Sequence, residues 1–331
     1  MFVVRTRTQD PGEPASVTAA QTVRMEGAAF GTRWHVAVVG DALEPEALAA
    51  TIEAVLATID AQMSTYREDS TLQRLNRSPV GTWVEVSPQL LEVFELARAV
   101  HDASEGAFDP TVGRLVRAWG FGPDARPDRA PDIAPLMDAV GMRHLESRAQ
   151  PPSIRRLHPE VELDLSAIAK GYAVDRVLAT VLRAGHARVM VEIGGEVAVA
   201  GSGPSGGPWR IGIETPRASL DRSALEAVAL ERGGLATSGE YRNRYALEGR
   251  QVSHTLDPRT GRPIDHATAS VSVHAPSCAL ADAWATALNV AGPDRARDLS
   301  ARAGIEFLLV VARGDSLDVV RSAGFPDPVP R

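Results

Sequence analysis

Lysine, cysteine and long apolar runs are scarce in this chain of 331 residues, and the last two scarcities remove classes of protein. The one cysteine, Cys278, forms neither an internal disulfide nor a zinc site of several thiolates. No stretch approaches the roughly 20 apolar residues that cross a bilayer. The apolar start Met1-Phe2-Val3-Val4 stops at Arg5, short of the roughly 7–15 residues of a signal-peptide core. As written, the chain is expected in the cytoplasm; a mis-assigned start would make it periplasmic or membrane-associated. Basic residues do not exceed acidic ones. The formal net charge is −7, which argues against nucleic acid as a partner. No G-x-G-x-x-G joins a strand pattern to a helix pattern, and no P-loop or H-E-x-x-H run occurs. Among 35 Lys and Arg residues, Lys170 is the single lysine.

The rest is ordinary globular composition, with 44% hydrophobic and 23% charged residues. Residues 1–22 read as a flexible extension, 23–325 as one domain and 326–331 as a tail. Apolar spacing predicts helices over 45–63, 88–104, 168–184, 277–290 and 293–303. Alternation predicts strands over 32–39, 82–86, 161–165, 188–193, 196–200, 210–213, 227–231, 244–247, 252–256 and 269–274. A closing hairpin turns about Gly314. Helices dominate the first half and strands the second. That order predicts α+β with a mixed, mainly antiparallel sheet flanked by helices.

Four segments carry more than scaffold chemistry. In Leu163 to Tyr172, small residues lead from a predicted strand into a helix whose first turn holds Lys170. A cation there opposes the helix dipole unless an anion shares the site. Lys170 is therefore either a solvated surface residue or the compact ammonium that a planar guanidinium cannot replace. Asp282 and Thr286 lie one turn apart on an alanine-rich helix. They form either a pair of hard oxygen donors suited to magnesium or a wet helix surface with Thr286 bonded back to a carbonyl. His254 stands at a strand end before the tight loop Asp257 to Pro263, as a structural histidine or a proton carrier. Asp109 precedes a helix start, where simple capping explains it; Trp119-Gly120-Phe121-Gly122 follows it.

These segments, with Gly31 to Trp34, Met63 to Ser70, Phe108 to Gly113, Val191 to Glu196 and Ala236 to Asn243, run in one order from about residue 24 to 292. Together they resemble the FAD:protein FMN transferases, the ApbE family of flavin transferases. Phe30 stands where that family often has Met, Glu240 where it usually has Asp, and Trp284 where it usually has a small aliphatic. The resemblance implies an ApbE-like flavin transferase fold, Mg²⁺ as cofactor and FAD as substrate. It implies transfer of FMN onto a Thr or Ser hydroxyl of an acceptor flavoprotein carrying a Ser/Thr flavinylation motif, through a phosphoester bond, with release of AMP. Asp282, Thr286 and the main-chain oxygen of Ala167 would then bind metal. Phe30, Tyr66, Ala107, Phe108, Asp109, Asp164, Lys170 and Leu256 would contact flavin. His254, Asp282 and Lys170 are the catalytic candidates. The alternatives are an FAD diphosphatase giving FMN and AMP, or a non-enzymatic FAD carrier.

Overall fold

Strands whose successive side chains are all buried need cover on both faces, and the central sheet has it. The computed structural model describes residues 21–40, 44–122, 127–216, 224–239, 244–314 and 316–330. Its main sheet holds β1 (Thr22–Ala29), β2 (Thr32–Val39), β3 (Val189–Ile193), β4 (Glu196–Ala200), β5 (Arg232–Gly239), β6 (Thr268–Ala275), β7 (Glu306–Arg313) and β8 (Ser316–Arg321). Neighbours in the sheet follow chain order from β1 to β8, and each pairing is antiparallel. The expected α+β architecture with a mainly antiparallel sheet is thus observed.

Five helices build the layer on one face of this sheet: α1 (Pro45–Met63), α2 (Thr71–Asn76), α3 (Pro88–Ala103), α4 (Ala169–Arg183) and α5 (Cys278–Ala303). Their buried residues share one apolar core with Trp34, Val36 and Val38 of β2 and Phe307 and Leu309 of β7. The alternate residues Ala37, Val39, Leu308 and Val310 point the other way. There they meet Ile211, Ile213, Val228 and Leu230 of a small sheet formed by Trp209–Glu214, Ala224–Leu230 and Pro328–Val329.

α1 matches its predicted bounds, and Ser87 caps α3 by accepting from Leu90 N at 3.0 Å. α5 is two helical pieces, as predicted, kinked at Gly292 (φ 75°) where Pro293 follows. Other expectations need correction. Residues 161–165 are not a sheet strand. Their one ladder contact among the described residues is an isolated bridge from Glu162 to Val112. Asn76 instead clasps Leu163 by donating to its carbonyl and accepting from its N–H, both at 2.9 Å. The extension boundary shifts, because Thr22 already pairs with Val39 in β1. The tail includes Pro328–Val329, which pairs with Ala227 and Val228. β1, β5 and the hairpin Leu145–Ala149 with Pro152–Arg156 were not expected. β5 reads Arg-Gly-Gly-Leu-Ala-Thr-Ser-Gly, poor in strand formers. Its glycines serve packing: a Cβ at Gly234 would overlap the backbone of Cys278 in α5. Residues 1–20, most of the predicted extension, and Glu240 to Asn243 lie outside the described residues.

Candidate functional site

The open end of the helix layer forms a cleft of about 980 Å³, and all twelve residues singled out from sequence line it. Each arrives on a different local device. Phe30 and Gly31 make the two-residue turn between β1 and β2, with φ of 53° and 71°. That geometry favours Asn or Gly at the first position, so the aromatic Phe30 sits there against preference. Tyr66 follows α1 and is 67% exposed at the cleft rim. Ala107, Phe108 and Asp109 follow α3 after a turn in which Glu105 and Gly106 both have positive φ.

Asp109 does not cap a helix. The short helix Gly113–Ala118 has Val112 at its N-cap, without a side-chain cap. The Asp109 carboxylate accepts instead from Thr111 N at 2.8 Å and Thr111 Oγ1 at 2.6 Å. Burial raises its pKa, against the opposing pull of these bonds. Asp164 likewise closes a turn by accepting from Ser166 N at 2.8 Å. His254 lies directly after the strand Arg250–Ser253, and its ring meets that of Phe121 edge-on at 6.3 Å. Trp119 supports this wall by donating to Gly261 O at 2.9 Å, so the aromatic segment and the Asp257 to Pro263 loop form one cluster with Leu256.

The deepest wall is ionic. Lys170 occupies the first turn of α4, as predicted, and its ammonium pairs with Glu196 Oε1 at the start of β4. Glu196 is 4% exposed and its other oxygen is buried without a hydrogen-bond partner among the described residues. Burial raises the Glu196 pKa to about 7, although Lys170 opposes this. Burial alone would lower the Lys170 pKa, but the Glu196 and Asp282 carboxylates carry it above the ordinary value. Glu196 was not among the site residues expected from sequence. A glutamate after two glycines signals a turn, and only the fold shows that it faces the single lysine.

Asp282 is 6% exposed, and its Oδ2 accepts from Gly171 N at 3.0 Å. Burial raises its pKa. Among the described residues, neither its Oδ1 nor the Thr286 hydroxyl has a hydrogen-bond partner. Thr51, Thr58 and Thr180, by contrast, each donate to the carbonyl four residues back, at 2.8–2.9 Å. The alternative of Thr286 bonded back to its own helix is therefore not realised. Among the described residues no cluster of three or more His, Cys, Asp and Glu could hold a metal. Asp282, Thr286 and Ala167 nonetheless all line the same cleft. Cys278, fully buried at the start of α5, is structural as expected.

Comparison with known proteins places this geometry. The ApbE family model matches residues 30–309. The chain is 37% identical over 322 residues to an FAD:protein FMN transferase of Salmonella typhimurium, covering 94% of this chain and 91% of that protein. An FAD:protein FMN transferase of Escherichia coli K12 is 35% identical over 95% of this chain and 91% of its own length. The solved flavin transferase ApbE of Vibrio cholerae superposes with a TM-score of 0.84 at 36% identity, covering 92% of this chain and 98% of that one. The apo flavinyl transferase ApbE of Pseudomonas stutzeri gives 0.83 at 35% identity, over 93% and 97%. With its fold matched across nearly the whole length of these relatives, the chain belongs to the ApbE family of flavin transferases.

Proposed function

We propose that this protein is a Mg²⁺-dependent enzyme that moves FMN from FAD onto a Ser or Thr hydroxyl of an acceptor protein, forming a phosphoester and releasing AMP. The observation that carries the reading is the unbonded Oδ1 of Asp282 beside the unbonded Thr286 hydroxyl, one turn apart on α5, in the same cleft as the paired Lys170. Electrostatics supports it. Asp109, Asp164, Glu196 and Asp282 line the cleft and outnumber its cations, and Lys170 shares its charge with Glu196. A pyrophosphate is repelled from such a wall unless a cation accompanies it. Asp282, Thr286 and the Ala167 main-chain oxygen would hold that ion, and Mg²⁺ would act as a Lewis acid on the pyrophosphate oxygens.

In the transfer, the acceptor hydroxyl oxygen bonds to the FMN-side phosphorus while the bond from that phosphorus to the bridging oxygen breaks. AMP leaves with the electron pair. Lys170 offsets charge on the phosphoryl oxygens, and the walls at Phe30, Tyr66 and Phe108 position the flavin. His254 takes the hydroxyl proton. His254→Ala should lower the rate by about 10²–10⁴-fold and remove the acidic limb of the pH–rate profile; a limb that persists assigns the base elsewhere.

The decisive experiment mixes purified protein, FAD, Mg²⁺ and an acceptor bearing a Ser/Thr flavinylation motif, followed by mass spectrometry of the acceptor. FMN added to the acceptor, with AMP in solution, is the expected result. Free FMN and AMP without modified acceptor would identify a diphosphatase, and bound, unreacted FAD a carrier.

A further inference from the structure

α4 and α5 run antiparallel and touch at two levels one turn apart. At the first, Asp175 accepts from Cys278 N at 2.8 Å through Oδ1 and from Ala279 N at 2.9 Å through Oδ2. These are the first two N–H groups of α5, and Ser277 Oγ accepts the next from Leu280 N at 3.3 Å. A neighbouring helix thus supplies the cap that a helix start ordinarily finds in its own flank. At the second level, four residues back along α4 and four on along α5, Gly171 N donates to Asp282 Oδ2 at 3.0 Å. The helices are close enough there that a Cβ on Gly171 would lie 2.8 Å from Asp282 Cβ and nearer still to the Cys278 carbonyl. One more step of four in each direction reaches Ala167 and Thr286, which both line the cleft. The two bonded levels, 175 with 278 and 279 and 171 with 282, form a ladder that ends at Asp282. Thr286 lies one turn further along α5, and Ala167 lies in the turn just before α4.

We propose that Asp175 is the positioning residue of the metal end of the site. It lies one turn along α4 from Gly171, whose N–H holds Asp282. By holding two adjacent N–H groups with its two oxygens, it sets both the rotation of α5 about its axis and its height along α4. Close approach at Gly171 brings the two helices together, and the bonds across the contact select which residues face each other. Without the two-point grip, α5 keeps its fold and its burial but loses the register that presents Asp282 Oδ1 and Thr286 Oγ1 together. Gly171 and Gly234 provide the closeness on two sides of Cys278, and Asp175 provides the register.

This proposal rests on the reading of Asp282, Thr286 and Ala167 as metal donors, and its test separates the two. Full-length wild type, Asp175→Ala and Asp175→Asn are titrated with Mg²⁺ by calorimetry in the presence of FAD, and with FAD alone by flavin fluorescence. Far-UV circular dichroism and thermal melting check folding. Asp175→Ala should raise the apparent Mg²⁺ dissociation constant at least ten-fold while changing metal-free FAD affinity less than two-fold. Asp175→Asn, which keeps one acceptor, should fall between it and wild type. If Asp175→Ala does not fold, Asp175→Asn decides alone, with a three-fold or larger weakening expected. A folded variant with wild-type Mg²⁺ affinity would overturn the positioning role and leave the metal reading standing. So would equal losses of Mg²⁺ and metal-free FAD binding, which mark general damage to the cleft. Absence of Mg²⁺ binding in wild type would overturn the metal reading and this proposal together.

Discussion

Lys170 is held against the buried Glu196 from the N-terminal turn of α4, and this setting suits a compact ammonium better than a planar fork. Lys170→Arg keeps the charge but lengthens and flattens the cation against a buried carboxylate. We expect kcat/KM for FMN transfer to fall by about 100-fold, equivalent to about 2.7 kcal/mol of transition-state stabilisation, with an unchanged circular dichroism spectrum. Activity within a few fold of wild type would mean that Lys170 acts as a diffuse charge. At this scale the sequence was highly legible. A lone lysine in an arginine-using chain and an Asp–Thr pair at helical spacing both pointed to the cleft. Glu196, Asn76 and Gly171 were not legible, because their partners Lys170, Leu163 and Asp282 are distant in sequence and the residue types are commonplace.

Helices and strands set the directions in which these residues point. Asp175 of α4 is the clearest case, since it serves α5 rather than its own helix. Burial raises its pKa to about 6 from the ordinary 3.8, with Asp282 and Glu92 adding in the same direction and the two N–H bonds opposing. A folded form that holds its proton more tightly than the unfolded chain is favoured by acid. That advantage is complete below the ordinary carboxyl value and is lost as pH rises through about 6. Relative to Asp175→Asn, the metal-free wild type should therefore lose on the order of 3 kcal/mol of stability between pH 4 and pH 7, at about 1.4 kcal/mol per pH unit of difference. Urea denaturation of both proteins across that range checks it, and parallel curves would refute it. The chain thus keeps an ionised, poorly solvated carboxylate at neutral pH, a stability cost consistent with a role in register. Predicted elements failed mainly where glycine or proline masked them. Gly233 and Gly234 hide β5, and Pro151 and Pro152 hide the hairpin at 145–156.

For the whole molecule, the central sheet separates two cores, and the second reaches the cleft through Val197, Ile211, Ile213 and Leu235. The helix face carries Lys170, Glu196 and Asp282, while the opposite face packs Phe325, Leu308 and Val310 against the small sheet. Phe325 is 2% exposed and does not line the cleft. Phe325→Ala should lower the unfolding free energy by about 3–5 kcal/mol, read by denaturant titration. FAD affinity should stay within two-fold of wild type under conditions where both remain folded. A matching loss of FAD affinity would show that packing at Phe325 also shapes the cleft. The acidic balance, net charge −7, is consistent with the proposal that a metal ion and one placed ammonium, rather than a basic surface, meet the pyrophosphate.

Local periodicity was enough to define α1, α3, α4 and the two halves of α5, because a helix is set by contacts within one chain segment and by its apolar stripe. The same pattern carried the Asp–Thr and lysine motifs, since helical spacing places Asp282 beside Thr286 without any partner. It did not reveal that 161–165 is clasped by Asn76 instead of a neighbouring strand, that a glycine-rich segment forms a central strand, or that Asp175 caps another helix. Those features arise from close approach between segments remote in sequence. Residue type alone sets no distance between them, and packing assigns each oxygen and N–H its partner.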